Sequence, residues 1–158
     1  MLKGIDPLLG PELLHVLASM GHGDEIAVVD ANFPAAAVAR RLVRLESADA
    51  PRALQAILTL LPLDTFVAAP AASMQPVGDP AAVPPPVRDF QALLDAAAGR
   101  RVTVAPLDRF AFYERVKAAY AVVATGERRF YGNVILVKGV IDADGRVPPP
   151  RDPAAGAR

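Results

Sequence analysis

Short apolar runs that alternate with helical segments place the strongest constraint on how this chain can fold. The run EIAVV, residues 25–29, is short and rich in β-branched residues, as strands buried on both faces of a sheet are. Four further strands are predicted, at residues 39–46, 101–107, 121–127 and 133–140. Short strands that alternate with helices indicate an α/β protein built in layers.

Four helices are predicted between these strands. The first begins at Pro11, a residue suited to the first turn of a helix, and is expected to end at Gly21. Asp108 is a favourable N-cap for the last helix. The four predicted helices cover residues 11–21, 50–63, 88–99 and 109–120.

The remaining segments are predicted to be irregular. Pro70 forbids a regular helix in residues 64–74, which we expect to be extended, and residues 75–87 form a Pro- and Gly-rich surface loop. There is no internal repeat and no sign of a second domain, so residues 1–141 are predicted to form one domain. Residues 142–158 contain four prolines without periodicity and predict a disordered tail.

The composition narrows the classes of function. Lys+Arg and Asp+Glu both number 17, and a neutral chain has no long-range attraction for nucleic acid or for an acidic membrane. The absence of cysteine excludes disulfides, thiolate catalysis and cysteine-based metal sites. Without a signal peptide or an apolar segment of ~18 residues, the chain is expected to be cytoplasmic. The 53% of hydrophobic residues reflects either the alanine content or apolar surface buried between subunits.

Two residues that flank the first strand are candidates for a site. His22 lies between Gly21 and Gly23, which let the backbone take positive φ and let a ligand approach. The same glycines suit a helix end and a turn, so both interpretations remain open. Asp30 stands at the carboxyl end of the strand, where open α/β sheets bind ligands, or it caps the turn DANFP. The other histidine, His15, falls on the polar side of the first helix and is expected to be solvated.

Two later segments also carry polar candidates. Arg109 lies in the first turn of a predicted helix, where a cation opposes the helix dipole, and such a misfit can mark a site. The alternative is an exposed arginine paired with Asp108 or Glu114. Three residues precede the last strand directly: Tyr131, Gly132 and Asn133. Tyrosine and asparagine offer neutral hydrogen bonds, and glycine allows a close backbone approach to a ligand. The alternative interpretation is an ordinary turn.

Several catalytic motifs do not occur in the sequence. Neither a Walker pattern nor G-x-G-x-x-G is present, and there is no G-x-S-x-G nucleophile elbow. Two histidines seven residues apart do not match a zinc site. What remains is one imidazole with carboxylates, tyrosines and an arginine, which suits proton transfer on a polar, neutral substrate.

At this point the sequence resembles the fucose mutarotase branch of the ribose pyranase/fucose mutarotase family. The resemblance lies in LKGIDPLLGPELLHVLASMGHGDEIAVVDANFP, RFAFYERVKAAYAVVATGER and YGNVILVKGV, and extends over about residues 1–141. The motifs MGHGDEI, D-A-x-F-P, RFAFYER and YGN are specific in combination. The ribose pyranase branch has alanine in place of Gly132 and lacks the RFAFYER string, so the resemblance points to the fucose branch.

The resemblance implies a three-layer α/β/α domain with a mixed sheet, assembled into a ring-like homo-oligomer, often a decamer. It also implies interconversion of the α and β pyranose anomers of a monosaccharide, most closely L-fucose, without a cofactor or a metal. His22 matches the family's catalytic acid. The positions that match its sugar-binding residues are Asp30, Arg109, Tyr131, Gly132 and Asn133. Tyr113 and Tyr120 are additional acid or base candidates, and the resemblance does not choose between them.

The length of the first strand bears on how the site is assembled. Residues 25–29 as a strand extend roughly 15 Å, which exceeds the span of a monosaccharide. Either the Gly-His-Gly loop folds back along the sheet, or His22 of one subunit meets Asp30 of another, and we favour the subunit interface. The alternatives to a fucose mutarotase are a D-ribose pyranase and a non-catalytic sugar-binding or regulatory protein, which would not need the titrating His22.

Overall fold

A six-stranded sheet with helices on both faces forms the protein, and the computed structural model describes residues 2–150. The helices are α1 (Pro11–Ser19), α2 (Ala35–Val38), α3 (Ala50–Leu58), α4 (Pro85–Ala98) and α5 (Arg109–Ala118). The strands are β1 (Glu25–Val29), β2 (Leu42–Leu45), β3 (Ala71–Met74), β4 (Val104–Leu107), β5 (Ala121–Thr125) and β6 (Val134–Val137).

The sheet is mixed, with the strand order β2-β5-β1-β6-β3-β4. β6 runs antiparallel to its neighbours β1 and β3, while the other neighbouring strands are parallel. Every residue of β5 and β6 is buried, as is all of β1 except Glu25 at its start. Near-continuous apolar runs are expected in strands that are covered on both faces. The predicted mixed α/β sheet is therefore confirmed.

Alternate residues of β1 divide the core into two layers. Ile26 and Val28 belong to a cluster that also takes in the buried residues of α1, α3 and α4. Ala27 and Val29 belong to a second cluster, which includes the fully buried Phe112 of α5. Successive side chains of a strand point to opposite faces, so one strand supplies both clusters. The three-layer α/β/α arrangement follows.

The ends of several elements differ from the sequence-based expectation. α1 ends at Ser19 with Met20 rather than Gly21 at the C-cap, because the Nζ of Lys138 donates to carbonyls at this end of the helix. α4 begins at Pro85, inside the segment predicted to be a loop, since proline lacks an N–H that the first turn leaves unpaired anyway. The short helix α2 was not predicted.

Other local expectations are confirmed. Asp108 caps α5, and its Oδ1 accepts hydrogen bonds from the N–H groups of Phe110 and Ala111 at 2.9 and 3.0 Å. Residues 142–150 carry no helix or strand, and residues 151–158 of the predicted tail lie outside the described part. Disorder of the tail stays a prediction.

Among residues 2–150, none of the helices combines the length and the hydropathy that crossing a bilayer requires.

Candidate active site

Asp30 and Asn133 form a buried pair at the carboxyl end of β1. The backbone N–H of Asp30 donates to Asn133 Oδ1 at 2.9 Å, and Asn133 Nδ2 donates to Asp30 Oδ2 at 2.8 Å. The other oxygen of Asp30 accepts from the N–H of Asn32 at 3.0 Å, so Asp30 also caps its own turn. The cap interpretation of Asp30 is therefore confirmed, and its role in ligand binding stays a prediction. The pair joins the end of β1 to the start of β6.

Tyr131 and Gly132 enter the site through an unusual stretch of backbone. Tyr131 has φ of 62°, and within the described residues it is the one non-glycine residue with positive φ. Its hydroxyl oxygen accepts a hydrogen bond from the N–H of Val77 at 3.0 Å. Gly132 is buried so tightly that an added Cβ would lie 2.5 Å from Cγ of Glu127 and 3.4 Å from Cβ of Asp30. Gly132 is therefore needed for the close approach of these two segments.

Replacing Gly132 with alanine should destabilise the protein, because the new Cβ would collide with Glu127. Overpacking of a buried position costs about 1–3 kcal/mol. Urea unfolding measures the change. Gly21→Ala is the matched control, since its added Cβ would meet only Asp24 Oδ2 at an ordinary 3.7 Å. Equal stability of the Gly132 variant and the wild type would show that the packing around Gly132 is loose.

A cavity of about 330 Å³ collects most of the predicted binding residues. It is lined by Asp30, Asn32, Phe33, Met74, Arg109, Tyr113, Phe130, Tyr131 and Asn133. The lining combines charged and amide groups with aromatic and thioether groups. Such a mixture suits a ligand that has both hydroxyl groups and an apolar edge.

Arg109 stands exposed at the rim of this cavity, on the first turn of α5. Both carboxylates suggested as its partners are engaged elsewhere. Asp108 caps the helix, and Glu114 forms an ion pair with Lys117. The guanidinium carbon of Arg109 lies 5.0 Å from the ring centroid of Phe110. Arg109 is therefore positioned beside the cavity rather than in either predicted surface ion pair.

The two candidate tyrosines are separated by the structure. The ring of Tyr113 packs edge-on against Phe33, with centroids 5.1 Å apart, and lines the cavity. Tyr120 lies beyond the end of α5, where the guanidinium carbon of Arg41 stands 4.0 Å from its ring centroid. Tyr120 packs beside the core cluster on the opposite face of the sheet. Of the two, only Tyr113 lies beside the Asp30 and Asn133 pair.

His22 is located at the other end of β1, on the loop that follows α1. Its Nε2 lies 3.2 Å from Oδ2 of Asp64, whose side chain is only 3% exposed. The imidazole is itself 45% exposed and packs edge-on against Phe66 at 5.5 Å. Gly23, with φ of 82°, supplies the turn after His22. The imidazole is thus held on one side and accessible on the other. His15, by contrast, is simply exposed on α1.

Asp64 is a candidate that sequence reasoning missed. It falls in the stretch 64–74, for which only an extended conformation was expected. Its Oδ1 accepts from the N–H of Phe66 at 2.8 Å, and its own N–H donates to the carbonyl of Val137. The only available signal was a carboxylate directly after the apolar run LLPL. Because burial of Asp64 depends on β6, that signal could not be interpreted locally.

The site residues thus lie in two groups at opposite ends of one strand. His22 and Asp64 lie at the end of β1 that begins with Glu25, and the cavity with Asp30 and Asn133 lies at the end that finishes with Val29. A five-residue strand separates its two ends by roughly 15 Å. The N–H of Gly23 donates to the carbonyl of Lys138, the residue that follows β6. The Gly-His-Gly loop is therefore held at this end of the sheet and does not fold back along it. One chain therefore does not place His22 beside the cavity.

Known proteins resemble this chain over most of its length. Residues 3–141 match the model of the RbsD / FucU transport protein family. The fucose mutarotase of Mus musculus is 48% identical over 147 residues, covering 89% of this chain and 95% of that protein. The crystal structure of the Streptococcus pneumoniae fucose mutarotase in complex with L-fucose is 40% identical, with a TM-score of 0.84, and covers 89% of this chain and 100% of that one.

A more distant relative shares only the fold. The structure of Bacillus subtilis RbsD complexed with D-ribose is 21% identical, with a TM-score of 0.64, and covers 90% of this chain and 100% of that one. The resemblance seen in the sequence motifs is thereby confirmed, on the fucose mutarotase side. By the extent of the family match and of the shared sequence, the chain belongs to the RbsD / FucU transport protein family.

Proposed function

We propose that this protein is an isomerase, a mutarotase that interconverts the α and β pyranose anomers of L-fucose. The observation that carries the proposal is the pair of His22 and Asp64, a half-exposed imidazole held by a buried carboxylate. A group that both gives and takes protons near neutral pH is what anomer exchange requires. The 48% identity to a fucose mutarotase supports L-fucose as the sugar.

The reaction is a ring opening followed by reclosure. A proton is delivered to the ring oxygen, the anomeric hydroxyl loses its proton, and the bond between C1 and the ring oxygen breaks to give an aldehyde. Rotation about C1–C2 then lets the same oxygen attack the other face of the carbonyl, and the two proton transfers reverse. Positioned acid–base groups typically accelerate such transfers by about 10²–10⁴-fold.

His22 is the residue we assign to proton transfer. We assign a proton to Nε2, since that nitrogen lies 3.2 Å from a carboxylate oxygen of Asp64, which accepts hydrogen bonds. Nδ1 is then the nitrogen that exchanges a proton with the sugar. Asp64 acts as a positioning residue, which fixes the ring orientation and its tautomer. Tyr113, at the cavity, is the candidate for the second proton-transfer group.

The cavity offers the contacts that the sugar requires. Asp30, Asn133 and Arg109 present groups that bind hydroxyls, and Tyr131 and Gly132 shape the wall between them. On the apolar part, Phe33 and Met74 are suited to the methyl group of a 6-deoxy sugar. L-Fucose has such a methyl group, whereas D-ribose does not. The lining therefore favours a fucose mutarotase over a ribose pyranase.

The site is completed between two copies of the chain. Since His22 and Asp30 stand at opposite ends of β1, a second copy must bring its own His22 to the cavity. Phe130 of the cavity lining is 75% exposed, and Phe110, whose ring lies beside Arg109, is 68% exposed. A second copy would cover both side chains. We propose a closed homo-oligomer, a decamer as the family resemblance suggests. A cytoplasmic location suits a chain without cysteine.

Exchange NMR spectroscopy on a panel of sugars tests this function. Saturating the anomeric proton of one anomer should transfer saturation to the other faster with the protein than without it, for L-fucose most of all. D-Ribose, D-galactose and L-rhamnose complete the panel. Faster exchange for D-ribose than for L-fucose would favour a ribose pyranase. Binding of L-fucose without faster exchange would favour a non-catalytic sugar-binding protein.

A further inference from the structure

The strained backbone at Tyr131 raises the question of what holds it. A non-glycine residue in the left-handed region is unfavourable, and it persists only where surrounding contacts impose it. The hydrogen bond from Val77 reaches only the end of the side chain and comes from an exposed segment. Something closer to the backbone of residues 126–133 must therefore define the turn.

An ion-pair cluster lies directly beneath this turn, formed by Glu127, Arg129 and Asp89. The buried carboxylate of Glu127 accepts from Arg129 three times: from the backbone N–H at 2.9 Å, from Nε at 3.0 Å and from Nη2 at 2.8 Å. Arg129 Nη1 donates to Asp89 Oδ2 at 2.8 Å, which ties the turn to α4. A planar guanidinium held by two carboxylates is a rigid arrangement.

Glu127 also touches both sides of the cavity wall. Its Cγ is the atom that an added Cβ on Gly132 would meet at 2.5 Å, so its side chain is packed directly against Gly132. Its carbonyl accepts a hydrogen bond from the N–H of Ala31 at 2.9 Å, in the turn capped by Asp30. Displacement of Glu127 would therefore move the two segments that supply Asp30 and Asn133.

We propose that Glu127 and Arg129 are positioning residues for sugar binding, which hold Tyr131–Asn133 in the left-handed turn that shapes the cavity. Neither residue lines the cavity itself. The proposal rests on the proposed function, because the sugar whose binding it affects is L-fucose. It assigns a role to the charged part of the segment TGERRFYGN, which the proton-transfer mechanism leaves unused.

The ion pair of Glu127 and Arg129, which we call the clamp, is expected to be permanent. Hydrogen bonds from Arg129, opposed by burial, hold the pKa of the Glu127 carboxyl below its usual range. The bonds to Glu127 and then to Asp89 raise the pKa of the Arg129 guanidinium. Both groups therefore stay charged at neutral pH, and the clamp does not open as the pH varies around 7.

Arg129→Ala provides the direct test. Once the clamp is removed, the fraction of molecules with Tyr131 in the competent conformation should fall, and apparent affinity falls by the same factor. We expect KM for L-fucose to rise about 5- to 30-fold, which is the range set by the strain of a left-handed residue. The kcat should change less than about twofold, since His22 is not in contact with the clamp.

Further variants separate positioning from folding. Arg129→Lys keeps the charge but not the fork geometry, so it should also raise KM. Asp89→Ala should raise KM less, because Glu127 still holds Arg129. Arg101→Ala is the matched control. It removes an exposed arginine that pairs with Asp95 of α4, the helix that also carries Asp89, and it should leave KM unchanged. Guanidinium ion at a non-denaturing concentration should partly restore KM in Arg129→Ala.

A lowered thermal stability of Arg129→Ala and Arg129→Lys with an unchanged KM would overturn the proposal, because the clamp would then serve folding alone. Two readouts do not depend on turnover: the Kd for L-fucose and the φ angle of Tyr131 in a crystal structure of Arg129→Ala. A weaker Kd with Tyr131 out of the left-handed region supports the clamp. An unchanged Kd and φ reject it. Absence of exchange by the wild type would instead reject the proposed function.

Discussion

Replacing His22 with alanine should lower the rate of anomer exchange on L-fucose by about 10²–10⁴-fold, the contribution expected of a positioned acid–base group. The affinity for L-fucose should change far less, because the groups that we propose to bind its hydroxyls line the cavity at the other end of β1. Exchange NMR measures the rate, and calorimetric titration measures the affinity. A large loss of rate with retained binding identifies proton transfer as the role of His22.

The chain offers good controls for this experiment. His15→Ala removes the other histidine, which is exposed on α1, and should leave the rate unchanged. His22→Ala leaves the buried Asp64 without its imidazole, so its unfolding should be checked alongside. His22→Asn keeps a polar side chain near Asp64 without a titrating group and should be as slow as the alanine variant. Exchange near the wild-type rate in both variants would transfer the catalytic role to another residue.

Mixing two inactive variants should restore activity if the site lies between subunits. In an oligomer of His22→Ala and Asp30→Ala chains, some sites combine an intact His22 from one copy with an intact Asp30 from another. Random mixing in equal amounts gives about a quarter of such sites, so about a quarter of the wild-type activity is expected. If both residues served one sugar from the same chain, every site would carry one defect and no activity would return.

The mixing experiment has a second arm that protects it from folding defects. Asp30 is buried and caps its turn, so its alanine variant can lose structure. Arg109 is exposed and lies in the same cavity, so Arg109→Ala can replace it. The chains should be mixed by unfolding and refolding together, with each variant refolded alone as the reference. Equal activity before and after mixing, in both arms, would place the complete site within one chain.

The fold was largely predictable because short apolar runs in the sequence mark most of its strands. EIAVV, apart from Glu25 at its start, and the run Val134–Val137 are buried on both faces, which favours apolar residues, many of them β-branched. The predicted start of α4 was wrong because proline is common both in loops and in the first turn of a helix, and α4 begins at Pro85. The short α2 lies in an alanine-rich stretch of four residues, which is too short to show a period.

The candidate site was predictable only in its parts. His22 and Asp30 stood out by their neighbours along the chain, but the bond between Asp30 and Asn133 joins residues 103 positions apart. The burial of Asp64 and the left-handed backbone of Tyr131 arise from packing against distant segments. No local pattern singled out Glu127, whose side chain is only 3% exposed. Tertiary contacts, rather than local pattern, distinguish these residues.

Anomer exchange of L-fucose is the most direct test of the account. Saturation of the α-anomeric proton should be transferred to the β-anomeric proton in the presence of wild-type protein, at a rate that increases with protein concentration. The same measurement with His22→Ala should be close to buffer alone. If the wild type binds L-fucose and the exchange rate stays that of buffer, the protein is not a mutarotase for this sugar and the assignment of His22 is wrong.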